Sequence, residues 1–142
     1  MKKNIAAGCL VYKNTMPREW LVCKHSSHGG WVFPKGLVGD RSLDESYEEA
    51  ARRETKEEGG VEGKIIGKLP HVYTYTYQLE GELIKKEVHY FLMLYESGDP
   101  NNHDWEMSEA GFYPEDEVSD LLTYPADKKA FKDAKKMLDD SH

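Results

Sequence analysis

The sequence predicts an α/β fold in which helices sandwich a mixed β-sheet, and three observations carry that prediction. Short runs with strand character fill most of the chain. A single strongly helical segment, YEEAARRETKEEGG from Tyr47 to Gly60, interrupts them, and a helical tail closes the sequence. One run, VHYFLMLY from Val88 to Tyr95, is almost continuously apolar, as a central strand covered on both faces must be.

The elements follow in order. Asn4 to Tyr12 reads as a buried strand that ends at a turn around Asn14–Pro17, with Trp20 to Lys24 as its hairpin partner. Gly29 and Gly30 break the chain before the short apolar segment Trp31–Phe33, which stops at Pro34. A glycine-rich loop, GLVGDR, leads into a helix expected from about Ser42 to Glu58. Val61 to Lys68 and Val72 to Leu79 read as strands. In the second, Tyr73, Tyr75 and Tyr77 alternate and so share a face. Gly81 marks a hairpin tip, and the loop GDPNNHD follows the central strand. Ala110 to Tyr113 is a last short strand, Pro114 starts a helix through about Leu122, and Asp127 to Leu138 forms a terminal helix with a basic face.

Composition excludes several classes of function. With 39% hydrophobic residues in 142, the chain can bury a core and is not disordered. A net charge of -7 gives no basic face for nucleic acid. No apolar run reaches membrane-spanning length, and the opening MKKNIAAGC is too short in its apolar part for an export signal. Cys9 and Cys23 sit in apolar runs without metal-ligand spacing, so reduced thiols and a cytoplasmic location are expected.

The helix poses the chemical question. Its apolar face, Tyr47, Ala50 and Ala51, continues at helical spacing into Glu54 and Glu58, with Glu57 beside them. Like charges at such spacing repel unless a cation lies between them. A hard divalent cation takes one or two carboxylates, waters and substrate phosphates. The alternative is a solvated acidic surface. Arg53 either makes a surface ion pair or fixes two carboxylates with its donor fork. Glu45 fits a structural role, closing a capping box with Ser42.

The run from Gly36 through Glu45 to Val61, including Arg53-Glu54-Thr55-Lys56-Glu57-Glu58-Gly59-Gly60-Val61, resembles the signature box of the Nudix hydrolases. Thr55 stands where an aliphatic residue is usual. Three residues are inserted between Gly36 and Glu45 if Gly36, after Phe33–Pro34–Lys35, is the first glycine of the box. The resemblance implies a Nudix-type α/β/α sandwich over a single domain, residues 1–142. It also implies Mg²⁺-dependent pyrophosphate hydrolysis, with Mn²⁺ as a possible substitute. Glu54, Glu57 and Glu58, helped by a main-chain carbonyl near Gly36, would hold the metal, and Arg53 would orient them. The general base is open between Glu54 and an acidic residue of the late loop, Asp104, Glu106 or Glu109.

GGWVFPKG, KEVHYFLM and EAGFYPEDEVSDLLTYPADK are similar to segments of bacterial diadenosine polyphosphate hydrolases of this superfamily, which cut Ap4A to Ap6A and release ATP or ADP. The implied partner is a nucleotide polyphosphate, met by a monomer or homodimer. Lys35, Arg41, Lys85 and Lys86 would supply cations to it. Tyr75 and its two neighbours would offer a stacking platform for adenine, or else pack against the sheet or a helix. His89 would touch substrate, or else sit hydrogen-bonded in the core. Alternatives within the superfamily are hydrolysis of diphosphoinositol polyphosphates, ADP-ribose or oxidised nucleoside triphosphates. A non-enzymatic nucleotide sensor is a further alternative.

Overall fold

The computed structural model describes residues 1–39 and 44–141. Eight strands and three helices run in the order β1 (Lys2–Lys13), β2 (Glu19–His25), β3 (Trp31–Val32), β4 (Lys35–Leu37), α1 (Tyr47–Gly59), β5 (Val61–Lys68), β6 (Tyr73–Leu79), β7 (Glu82–Gly98), β8 (Met107–Pro114), α2 (Glu115–Leu121) and α3 (Pro125–Asp140) among the described residues. A 3₁₀ turn, Pro100–Asn102, precedes β8.

The sheet is mixed. β1 and β7 lie parallel along Lys2–Tyr12 and Ile84–Leu94, while the other pairings are antiparallel. Alternation along these two strands divides the core. Leu10, Tyr12, Val88, Tyr90 and Leu92 join Trp20, Phe33 and the α3 residues Ala130, Phe131 and Ala134 in one cluster. Cys9, Val11, Phe91 and Met93 join Leu21, Cys23 and the α1 residues Ala50 and Ala51 in the other. Helices therefore cover both faces in an α/β/α sandwich, and the central run VHYFLMLY lies where two-sided burial requires it. Cys9 and Cys23 are buried free thiols.

Helix α1 starts later than the sequence suggested. Its N-cap is Ser46, whose hydroxyl accepts from the Glu49 amide while Glu49 accepts from the Ser46 amide, a complete capping box. Ser42 lies outside the described residues, and Glu45 is turned to Arg53 instead of a helix start. The helix ends at Gly60 with φ 72°, a left-handed cap that a side chain would strain.

The sheet splits beside β1. On the edge away from β7, β1 pairs with β2 only at Tyr12–Trp20 and Lys13–Glu19. Further back along the same edge, Ala6–Gly8 pair with β4 instead. β2 meanwhile continues outward with β3 and β8. The segment GLVGDR, with glycines at 36 and 39, carries no strand pattern, so β4 is set by its pairing with β1 and not by local sequence. That short strand is what opens the cleft.

Candidate active site

The cleft holds about 250 Å³ and is lined by Lys35, Gly36, Glu54, Glu58, Lys86 and Glu106, with His25, His28, Val32, Leu37 and Met107 completing its wall. Three elements meet there: β4 supplies Lys35 and Gly36, α1 its inward glutamates, and the start of β8 its acidic approach.

The inward glutamates of α1, Glu54 and Glu58, are not a solvated surface. Glu54 is 5% and Glu58 4% exposed, continuing the stripe of Ala50 and Ala51 into the cleft. Arg53 explains how the charges are tolerated. Its Nε and Nη2 donate to the two oxygens of Glu45 at 2.7 and 3.0 Å, and Nη1 donates to Glu54 at 2.7 Å and Glu57 at 3.3 Å. Nη2 also reaches the Leu37 carbonyl at 3.3 Å. One planar fork thus ties three carboxylates to β4. Gly36 lies so close that a Cβ built there would fall 2.0 Å from the Glu54 carboxyl carbon, so glycine is what lets β4 meet the helix.

Arg53→Lys keeps the charge but cannot make these bonds together. It is expected to lower kcat/KM about 10- to 100-fold, the usual cost of losing an orienting partner. Steady-state kinetics with a melting curve checks this, and wild-type kinetics would mean the fork orients nothing.

Glu58 accepts from the Lys35 amide at 3.1 Å. Burial pushes its carboxyl up to about 9, against the lowering effect of Lys35, and the Glu106 carboxyl adds to the rise. Burial also raises Glu54, partly offset by Arg53. Lys86 is pushed down by burial and then by Lys35, the second ammonium in the cleft. The two lysines rest on tyrosine rings: Lys35 Nζ is 5.1 Å from the Tyr75 centroid and Lys86 Nζ 5.6 Å from that of Tyr77.

These rings therefore seat cations. Tyr73 is buried, with its hydroxyl on Asp133 at 2.6 Å, and offers no open face to a base. The Tyr75 hydroxyl is drawn to Asp127, which also accepts from Tyr90 at 2.9 Å. The tyrosine face thus packs largely against α3, the second of the two alternatives the alternation allowed.

The other sequence-nominated residues separate clearly. Glu106 is in the cleft, whereas Glu109 is exposed on β8 opposite Lys24. Asp104 anchors its loop through its amide to the Glu57 carbonyl at 2.8 Å. His89 is not among the cleft residues: its ring lies 4.2 Å from that of Tyr47, and its Nδ1 is buried without a hydrogen-bond partner. Lys85 lies 4.0 Å from Glu87. Arg41 falls outside the described residues.

The sequence reading missed His25 and His28. Their rings stack at 4.1 Å and 10°, and Tyr124 meets His28 edge-on at 5.7 Å. Nδ1 of His25 accepts from the Ser27 amide at 3.2 Å, and Nδ1 of His28 from the Gly30 amide at 3.0 Å. Burial lowers both rings' affinity for protons. Because Nδ1 accepts in both rings, the neutral tautomer carries its proton on Nε2. The spacing HSSHGG, beside the chain break, was the signal available.

The donor set suits a hard divalent cation: buried carboxyls, a backbone approach at Gly36, and no thiolate at the cleft wall. No three His, Cys, Asp or Glu side chains converge as a closed cage among the described residues. Arg53 holds Glu54 and the Lys35 amide holds Glu58, and an ion that keeps most of its waters needs no cage.

Comparison with known proteins agrees with this architecture. The NUDIX domain family model matches residues 2–138. A Mycobacterium tuberculosis protein that carries the name mutator protein MutT4 is 29% identical over 109 residues, 77% of this chain and 42% of that protein. The chain thus spans about two fifths of the length of that relative. A Caenorhabditis elegans Ap4A hydrolase binary complex superposes with TM-score 0.72 at 19% identity, covering 96% of this chain and 98% of the other. The NUDIX domain of Shewanella oneidensis NrtR complexed with ADP ribose gives 0.75 at 18%, covering 97% and 90%. At such identities these structures share the fold.

Proposed function

The chain belongs to the NUDIX domain family, and on that premise we propose that it hydrolyses a pyrophosphate linkage in a dinucleoside polyphosphate of the Ap4A to Ap6A class, with Mg²⁺ as cofactor. The observation that carries this reading is the meeting of three carboxyls, Glu54, Glu58 and Glu106, with two ammonium groups, Lys35 and Lys86, in one cleft. A single phosphate needs less. A chain of phosphates needs cations along its length, and the protein's overall charge of -7 makes this local pair matter.

Glu54 and Glu58, with the Gly36 backbone beside them, would hold Mg²⁺, and Glu57 would support them through Arg53. Bound there, the ion would neutralise charge developing on the phosphoryl oxygens. Lys35 and Lys86, seated on Tyr75 and Tyr77, would bind and orient the phosphates. A Glu106 oxygen is the best-placed acceptor for the proton of an attacking water, since Glu109 lies outside the cleft. The stacked rings of His25 and His28, with Tyr124 edge-on beside them, suit a nucleobase at one end of the substrate.

The test is a panel of Ap4A, Ap5A, Ap6A, ADP-ribose, a diphosphoinositol polyphosphate and 8-oxo-dGTP with Mg²⁺, with products resolved. Asymmetric cleavage of a dinucleoside polyphosphate, releasing ATP or ADP, is the expected result. A kcat/KM at least about tenfold higher for ADP-ribose or 8-oxo-dGTP, about 1.4 kcal/mol of transition-state stabilisation, overturns the substrate assignment. No turnover of any member would favour a binding module.

A further inference from the structure

Trp105 is 83% exposed, whereas Trp20 is fully buried. Large aromatic side chains dominate burial and binding energetics, so one held in water on an ordered turn is informative. The turn that carries it is fixed on both sides. The Asp104 amide donates to the Glu57 carbonyl at 2.8 Å, which ties the turn to α1. The Glu106 amide donates to the Asp104 carboxylate at 3.1 Å. Ser26 clamps the far side: its amide donates to the Glu106 carbonyl at 2.9 Å, and its hydroxyl lies 3.1 Å from the Trp105 carbonyl and 2.8 Å from that of Glu106. The two residues that follow, Glu106 and Met107, line the cleft. The backbone that carries this exposed indole is thus fixed, and the indole stands next in the chain to Glu106, the proposed proton acceptor in the cleft.

The cleft's size supplies the second argument. About 250 Å³ is below the usual range for a drug-sized ligand, so a substrate with two nucleosides and four or more phosphates must extend beyond it. His25, His28 and Tyr124 form an aromatic rim for one base. The other base has no aromatic counterpart among the described residues that line the cleft, and Trp105, adjacent in the chain to the lining residue Glu106, carries an exposed indole. We propose that Trp105 is a specificity-determining residue that stacks on the distal nucleobase of a dinucleoside polyphosphate. This inference rests on the substrate reading above. Stacking tolerates any base, so the preference it confers is for a second nucleoside and not for adenine in particular.

The experiment compares Ap4A with adenosine tetraphosphate, which lacks the second nucleoside, in wild type, Trp105→Ala and Trp105→Phe. Trp105→Ala is expected to lower kcat/KM for Ap4A about tenfold, a loss within the range of one stacked base, and to leave the mononucleotide value in place. Trp105→Phe should retain most of the Ap4A activity. An equal loss on both substrates would mean that the side chain only supports the Glu106 turn, and no loss on either would leave the exposed ring without this role. Both results overturn the proposal.

Binding is read separately from catalysis, through the indole N–H resonance of Trp105, assigned by its disappearance in Trp105→Phe. The probes are the methylene-bridged, non-hydrolysable analogues of the two nucleotides with Mg²⁺. A shift with the dinucleoside analogue alone is expected. A resonance that stays in place with both analogues, or moves alike with both, overturns the proposal. If Ap4A shifts it without being turned over by wild type, the hydrolase reading fails and the second-nucleoside contact stands.

Discussion

Glu54→Gln and Glu58→Gln should each lower kcat/KM for the best substrate by roughly a thousandfold while the protein stays folded, since each removes a carboxylate that would hold the cation stabilising the transition state. Glutamine matches glutamate in volume, so packing beside Ala50 and Ala51 is kept. At Glu58 the remaining amide oxygen still accepts from the Lys35 N–H. What disappears is negative charge, the property a divalent cation requires. Glu57→Gln is expected to cost less, about 10- to 100-fold, since Glu57 is 31% exposed at its side chain and bonds Arg53 at the longer distance of 3.3 Å. Circular dichroism and steady-state kinetics on the three variants separate the outcomes. Near wild-type turnover in both Glu54→Gln and Glu58→Gln would mean that neither carboxylate holds a cation the reaction needs.

How the sequence foretold this site differs from residue to residue. The helix and its inward glutamates were legible because helical periodicity is local, and Tyr47, Ala50, Ala51, Glu54 and Glu58 lie on one face of one element. The start of that helix was not. Both Ser42–Glu45 and Ser46–Glu49 satisfy the capping pattern, and what favours the second is tertiary: Glu45 is needed by Arg53, eight residues on. Strand β5 was read to its observed limits, Val61–Lys68. Strand β7 was read only from Val88, because its first residues, Glu82–Glu87, are mostly charged and stay in register through pairing with β6 and β1. The histidine rim joins residues almost a hundred positions apart, His28 and Tyr124. No local pattern encodes such a meeting. The tyrosine alternation was real, yet only the structure shows α3 and two lysines occupying that face.

Burial of Glu58 makes the second large prediction, on stability. Its carboxyl is pushed from 4.5 to about 9, chiefly by burial. Between those values the unfolded chain has released the proton and the folded chain still holds it. The folded state then binds more protons, so stability falls as pH rises through that window. In excess chelator, wild type should lose stability steadily from pH 5 to pH 8, and Glu58→Gln, which has no proton to release, should lose less. Each pKa unit corresponds to about 1.4 kcal/mol, which relaxation around the carboxyl would reduce. A melting temperature for Glu58→Gln on the order of 5–10 °C above wild type at pH 8, with the two converging near pH 5, is the expected pattern. Mg²⁺ should reverse the order. Binding to the native state stabilises wild type by about 2.7 kcal/mol at a hundredfold excess over the dissociation constant, and loss of the Glu58 ligand should blunt that gain. Melting both proteins across pH and Mg²⁺ series at constant ionic strength reads both effects together. Curves parallel in pH would refute the buried proton, and curves parallel in Mg²⁺ would refute the metal. A carboxyl that costs stability when alone and returns it with a cation is the physical reason to keep two glutamates, Glu54 and Glu58, on the inward face of a helix.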